Sequence, residues 1–183
     1  MRIERVIAGT SGSPGSLAAL RYAECLARAH GAILVPVLAW EPAGGDGYGY
    51  GMLQSDGYLR QRWREMACQR MREALLAVWG QQPRDSWIQP RVERGPAGWV
   101  LVRVAGHSGD VLVLGAGRRA PLHRITRRPV GRYCAARALC PVILVPPPEL
   151  TRPAGLRRLA WQLTHRTVTA QEIIGDRGQP AAA

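Results

Sequence analysis

Residues 5–38 read RVIAGTSGSPGSLAALRYAECLARAHGAILVPVL, and this stretch contains one whole strand–helix–strand unit. Arg5-Val6-Ile7-Ala8-Gly9 is a short apolar strand that stops at a glycine. Thr10–Ser16 is a Ser/Gly/Pro turn in which Ser13, standing before Pro14, reads as an N-cap with proline in the first helical turn. Ala19, Leu20, Ala23, Leu26 and Ala27 recur at helical spacing, which predicts a helix to about His30. Gly31 is placed to end it. Ala32–Leu38 follows as a nearly continuous apolar run, the pattern of a parallel strand covered on both faces. Pro36 inside it has no N–H for a ladder, so it is expected where the strand pairs poorly or at a bulge.

The same alternation continues outward from this unit. Glu41–Gly57 is a long loop holding GGDGYGYG at 44–51. Loops of this length in compact domains are functional or without fixed structure; here it is either a lid that lays Tyr48 or Tyr50 over a ligand, or simply a mobile connection. Tyr58–Trp79 predicts an amphipathic helix. Its buried stripe is read as Leu59, Trp63, Met66, Ala67, Met71, Ala74, Leu75 and Val78, with Arg60, Arg64, Arg70 and Arg72 largely on the wet side. Ser86–Glu93 predicts a third strand and Pro96–Ala105 a short third helix. Asp110 leads into Val111-Leu112-Val113-Leu114, a fourth, fully apolar strand that stops at Gly115. An Arg-rich loop reaches Arg128, a helix runs from about Pro129 to Leu139, and Val142–Val145 is a fifth strand closed by Pro146-Pro147-Pro148. Strands alternating with helices imply an α/β fold: an open, mainly parallel five-stranded sheet with helices on both faces.

Periodicity ends at Pro148, so residues 1–148 are expected to form one domain. Residues 149–183 are an Arg-rich extension, with a loose helix over Thr151–Thr164 and a disordered end over Gly175–Ala183. The chain carries 25 basic against 13 acidic residues, a formal net charge of +12, and every basic residue is arginine. Such a balance suits an anionic partner, whether nucleotide, nucleic acid or acidic protein surface, but also follows from a coding bias against lysine. No nucleic-acid-reading motif accompanies it, so no specific nucleic-acid partner is expected. Cys25, Cys68, Cys134 and Cys140 lack metal-ligand spacing and read as buried free thiols in a reducing compartment. No apolar run approaches the ~20 residues of a membrane span, and Met1–Gly9 is already a strand rather than a signal peptide.

In an open α/β sheet the ligand crevice lies beyond the carboxyl ends of the strands, where the strand order reverses. Two loops have the position and composition for it. Gly9-Thr10-Ser11-Gly12-Ser13 offers hydroxyls and backbone donors before a helix N-terminus. Gly115-Ala116-Gly117-Arg118-Arg119 offers glycines that let backbone approach a ligand closely. The histidines at 30, 107, 123 and 165 have no nucleophile–base spacing; His123, inside the Arg loop, is a candidate phosphate contact, set against the usual role of a lone histidine as a structural or solvated residue. Asp110 is expected to tie up backbone donors in a turn. Nothing in the sequence argues for an enzyme. Ser11–Ser16 is faintly similar to the SGGxDS loop of the ATP pyrophosphatases, but Ser13 and Gly15 occupy the positions of its second glycine and its aspartate.

Over roughly residues 2–148 the chain resembles the universal stress protein family. The resemblance is carried by RVIAGTSGSPGSLAALRYAECLARAHGAILVPVLAW, GPAGW, GDVLVLGAGRR and, most of all, VGRYCAARALCPVILVPPP. It implies a Rossmann-like fold, close to that of the adenine nucleotide alpha hydrolases, with strand order 3-2-1-4-5. The family's nucleotide-binding branch carries Gly-x2-Gly-x9-Gly followed by Ser or Thr. Gly115 matches the first glycine. Arg118 and Arg128 stand at the other two, Pro129 at the hydroxyl, and Ser11 where the family often has an aspartate in the first loop. Pro129 has no N–H to donate, whereas guanidinium groups bind phosphate in pairs of hydrogen bonds. The nucleotide-binding candidates are therefore Gly9, Ser11, Gly115, Ala116, Gly117, Arg118, Arg128 and Val130, with ATP or another adenine nucleotide as the candidate ligand and no metal. The resemblance further implies a cytoplasmic, non-enzymatic stress-response protein that forms a homodimer through the Val142–Val145 edge strand. The alternative is a dimeric protein-interaction module that has lost nucleotide binding.

Overall fold

In a computed structural model of the chain, residues 2–42, 57–83, 85–117, 130–146 and 148 are described. Five strands and four helices alternate: β1 (Arg5–Gly9), α1 (Pro14–His30), β2 (Ile33–Trp40), α2 (Gly57–Trp79), β3 (Arg91–Arg94), α3 (Ala97–Val104), β4 (Asp110–Gly115), α4 (Val130–Arg137) and β5 (Val142–Val145). The sheet order is β3-β2-β1-β4-β5, and every pairing is parallel. The expected α/β fold and strand order are therefore present. The expectations for Tyr48, Tyr50, Arg118, His123, Arg128, Pro129 and residues 149–183 lie outside the described residues.

Two apolar layers flank the sheet. On one face Leu20 and Ala23 of α1 and Met71 and Leu75 of α2 pack on Val6, Ala8, Leu34 and Val113. On the other, Val100 and Leu101 of α3 and Cys134 of α4 pack on Ile7, Val35, Val37 and Leu112. Successive strand residues point to opposite faces, so the central strands must be apolar throughout; β4 is buried from Asp110 to Leu114. Truncating a residue such as Leu112, fully enclosed in this core, costs about 2–5 kcal/mol.

The helix punctuation follows the sequence. Ser13 caps α1, its side chain accepting from the Ser16 N–H, and Pro14 opens the helix. Gly31 closes it at φ 61°, donating to the carbonyls of Ala27 and Arg28. Left-handed backbone at such a cap favours glycine.

Strand boundaries differ from expectation in two places. β2 runs on to Trp40, because Val37–Trp40 pairs with all of β3. β3 itself begins only at Arg91; upstream of it lies the isolated bridge Leu34↔Ile88. The unchanged register sets Pro36 opposite Pro90, and neither has an N–H for the ladder. Pro36 nonetheless stays in register with Ala8 on the β1 side, so there is no bulge, and its poor pairing is confined to the β3 side. α3 and α4 are each shorter at their ends than predicted.

Two packing expectations are corrected. Cys25 is exposed and Cys68 half-buried, while Cys134 and Cys140 are buried; all four are free thiols. On α2, Met66 is 52% exposed and lies off the buried stripe, which starts at Ala67.

Candidate functional site

β1 and β4 are hydrogen-bonded neighbours, with Ala8 opposite Val113. The chain passes from β1 leftward to β2 and β3, and only later to β4 and β5 on the right. The crevice between β1 and β4 is thus the point where strand order reverses, the place where open α/β sheets receive ligands. Gly9 and Gly115 end these two strands side by side.

The absence of side chains at both glycines has a packing cause. A Cβ on Gly115 would lie 2.7 Å from the Gly15 carbonyl oxygen and 3.1 Å from the Ser16 nitrogen, so the first turn of α1 sits directly against the end of β4. A Cβ on Gly9 would come within van der Waals overlap of the Leu114 side chain, with Leu101 also close. Beyond Gly115, the Ala116 N–H donates to the Val145 carbonyl at 2.8 Å. Gly117 then turns at φ 74°, and a Cβ there would meet nothing within 4 Å. Ala116 and Gly117 are exposed. Val130, on the far side of the Arg loop, is exposed at the start of α4.

The β1–α1 loop is polar but largely closed on itself. Thr10 is buried, and its N–H donates to the Val37 carbonyl at 2.8 Å. The Ser11 N–H donates to Ser16 Oγ at 3.2 Å, and Ser11 Oγ lies 3.1 Å from Ser13 Oγ. Ser16 Oγ in turn donates to the Ser13 carbonyl at 2.9 Å, and the Ser16 N–H is taken by Ser13 Oγ. Pro14 has no N–H. The first turn of α1 therefore keeps few backbone donors for an anion, and the hydroxyls of exposed Ser11 and Ser13 are what this loop presents.

At the opposite, amino end of the same two strands the chemistry is ionic. Arg5 and Asp110 face each other in the β1–β4 register. The guanidinium grips the carboxylate with two hydrogen bonds, Nε to Oδ1 at 2.8 Å and Nη2 to Oδ2 at 2.7 Å. Arg5 Nη2 also donates to the Val104 carbonyl at 3.1 Å and contacts His107 Nδ1. The His107 N–H donates to Asp110 Oδ2 at 2.9 Å, the turn role expected of this aspartate. Asp110 is fully buried. Burial works to raise its pKa, but the Arg5 hydrogen bonds and the His107 N–H together hold it below the ordinary carboxylate value. Arg5 is raised, chiefly by its hydrogen bond to Asp110. Sequence reading missed this pair. The signal was an Arg and an Asp each standing just before an apolar strand core, in strands that pair in parallel.

No cluster of potential metal ligands occurs among the described residues. No described helix is long and apolar enough to cross a membrane. The Cys134 thiol is pushed up to about 11, by burial first and by Cys140 second, so it is not a nucleophile at neutral pH.

Comparison with known proteins gives a consistent pattern. A family model, described as the Universal stress protein family, matches residues 2–146. No curated protein matches the chain. Among solved structures, the universal stress protein UspA from Lactobacillus plantarum is similar at 20% identity and TM-score 0.58, covering 79% of this chain and 99% of that one. The hypothetical protein MJ0577 is similar at 13% identity and TM-score 0.60, covering 80% and 97%. A universal stress protein in complex with cAMP matches at 25% identity and TM-score 0.48, covering 81% and 100%.

Proposed function

We propose that this chain, which belongs to the universal stress protein family, is a non-enzymatic stress-response protein that holds an adenine nucleotide or a related phosphate ligand between the loops after β1 and β4. One observation supports this most: β1 and β4 are paired neighbours at the point where strand order reverses, and their ends carry glycines and serines rather than bulky side chains. The candidate contacts are Gly9, Ser11, Gly115, Ala116, Gly117 and Val130, with Arg118 and Arg128 supplying positive charge in place of the family's glycines. Ala116 and Gly117 are exposed, and a Cβ on Gly117 would meet nothing within 4 Å, which suits close approach of a ligand to backbone.

In this reading the protein works in the cytoplasm as a homodimer, with residues 149–183 as an extension outside the domain. β5 is the outermost strand on its side of the sheet, and Leu144 on it is 45% exposed. An apolar edge strand left open is an aggregation hazard, and pairing with its symmetry copy removes that hazard. Light scattering should give about twice the chain mass; a clean monomer contradicts the dimer.

The alternative, an interaction module that has lost its nucleotide, is favoured by the closed serine network, because the Ser11 and Ser16 N–H groups are already taken. Thermal-shift measurements with ATP, ADP, AMP and cyclic AMP separate the two. A ligand that binds only the folded state must raise the melting temperature. A rise with any adenine nucleotide supports the first reading, and no shift at millimolar concentration supports the second.

A further inference from the structure

Three of the described arginines lie over aromatic rings. Arg28 Cζ is 4.7 Å from the centre of the Trp87 ring, Arg103 Cζ 4.6 Å from that of Trp99, and Arg137 Cζ 4.5 Å from that of Tyr133. Such stacking engages the face of the planar guanidinium and leaves the N–H groups at its edge to donate. Two of the three use that edge on a carboxylate: Arg28 reaches Glu24 at 3.0 Å and Arg103 reaches Glu93 at 2.8 Å. Arg137 has no carboxylate partner among the described residues.

The surroundings of Arg137 also differ in charge. α1 carries Glu24, and α2 carries Glu65 and Glu73 among its arginines, whereas α3 and α4 carry no acidic residue. From Gly95 to Pro148 the sequence holds eight arginines and one acidic residue, Asp110, which is buried and held by Arg5. Arg132, on the same helix as Arg137, is exposed and has no hydrogen-bond or ion-pair partner among the described residues. α3 and α4 pack closely: a Cβ on Gly98 would lie 2.6 Å from the Tyr133 ring. The next residue, Trp99, is 47% exposed, and Leu139, just past the end of α4, is 86% exposed. The outer side of these two helices thus combines unneutralised positive charge with apolar surface.

We propose that the outer face of α3 and α4 docks an acidic segment of a partner protein, with a carboxylate seated on Arg137 where it lies over Tyr133. Arg132 adds charge to this face and Trp99 apolar contact; Trp and Arg are the residue types that anchor interfaces. The inference stands apart from the crevice reading, since none of these residues is among the crevice contacts. A second copy of this chain fits the face poorly, because it brings arginine against arginine. A nucleic-acid backbone matches the charge but offers nothing to Leu139. An anionic bilayer takes up aromatic side chains that protrude, and both rings here are covered by a guanidinium. Carboxylates set among apolar side chains match both features of the face.

The test is fluorescence anisotropy of the full chain with a labelled synthetic peptide of glutamate, alanine and leucine, at about 0.15 M salt. Wild type is compared with Arg137→Ala, Arg137→Lys and Arg70→Ala, after the melting temperature of each has been measured. Wild type should bind this peptide and not its counterpart with glutamine in place of glutamate. Arg137→Ala should weaken binding about tenfold, the loss of one charge-assisted pair. Arg70→Ala, an exposed site on α2, should match wild type. Arg137→Lys keeps the charge but not the planar fork and should still lose several-fold; it carries the test if Arg137→Ala melts early. A wild type that does not bind the peptide overturns the inference, as does an equal loss in Arg70→Ala, which marks diffuse surface charge. Lowered melting temperatures with unchanged affinity also overturn it, and assign Arg137 to the carboxyl end of the α4 dipole. Tighter binding to duplex DNA or to phosphatidylserine vesicles than to the peptide overturns it in favour of a phosphate surface. Each of these outcomes leaves the crevice reading untouched.

Discussion

The two ends of the β1–β4 ladder are built from opposite materials. At the amino end, Arg5 and Asp110 meet in register and form a buried, bidentate ion pair that also takes in the Val104 carbonyl and the His107 N–H. At the carboxyl end, Gly9 and Gly115 have no side chains at all, and the loop that follows β1 carries three serines bonded to one another. One end fixes the two central strands against each other. The other is made of backbone turns, packed closely at Gly9 and Gly115 and open beyond them at Gly117. The contrast is between a buried ion pair and close backbone packing, and substitutions at each end should read out differently.

The largest effect is expected at the amino end. Arg5→Ala leaves Asp110 buried without its partner and should cost about 3–5 kcal/mol, measured by chemical denaturation. A loss below 1 kcal/mol would mean that the ladder does not depend on the pair. The same pair sets a pH dependence. Asp110 is held below its ordinary value, so its contribution to stability is complete above the unfolded carboxylate pKa of ~3.9 and is lost as pH falls through the depressed folded value. Asp110→Asn should lower stability at neutral pH and flatten its fall in acid; an unchanged acid limb would assign that fall to other groups.

The next effect belongs to the carboxyl end. Gly115→Ala places a methyl group 2.7 Å from the Gly15 carbonyl oxygen. Backbone must move to accept it, at about 1–3 kcal/mol for an overpacked site. Gly9→Ala meets the end of a flexible leucine instead, so the thermal melt should show the smaller loss of the two. The reverse ranking would mean that the first turn of α1 yields more easily than Leu114. Ser13→Ala removes the cap on α1 and should cost about 1 kcal/mol, again by thermal melt. The smallest perturbation needs no mutation. An alkylating reagent should modify exposed Cys25 quickly in the native protein and reach Cys134 only on unfolding, as peptide mass spectrometry would show.

How much of this was legible in sequence follows from how local each signal is. The strand–helix alternation, the Ser13 cap and the Gly31 stop depend on residues within a few positions of one another, and all are found where they were read. β3 was misplaced because its start depends on Pro36 and Pro90 falling opposite one another across two strands. Met66 was assigned to the buried stripe of α2 because it is apolar, although Gln69, Arg70 and Glu73, which share its side of the helix, are all exposed. The Arg5–Asp110 pair spans 105 positions and becomes visible only once the β1–β4 register is known. At the candidate site, the adjacency of the Gly9 and Gly115 loops was readable from the order of the elements and the family resemblance. The self-bonded serines were not, since composition does not say which hydroxyl takes which N–H.

Hydrogen–deuterium exchange with and without saturating ATP tests the division between the two ends most directly. The account predicts slowed exchange over residues 9–17 and 115–117, with residues 104–110 at the Arg5–Asp110 end unchanged. Protection confined to the Arg5–Asp110 end, or no protection anywhere while ATP is demonstrably bound, would contradict it.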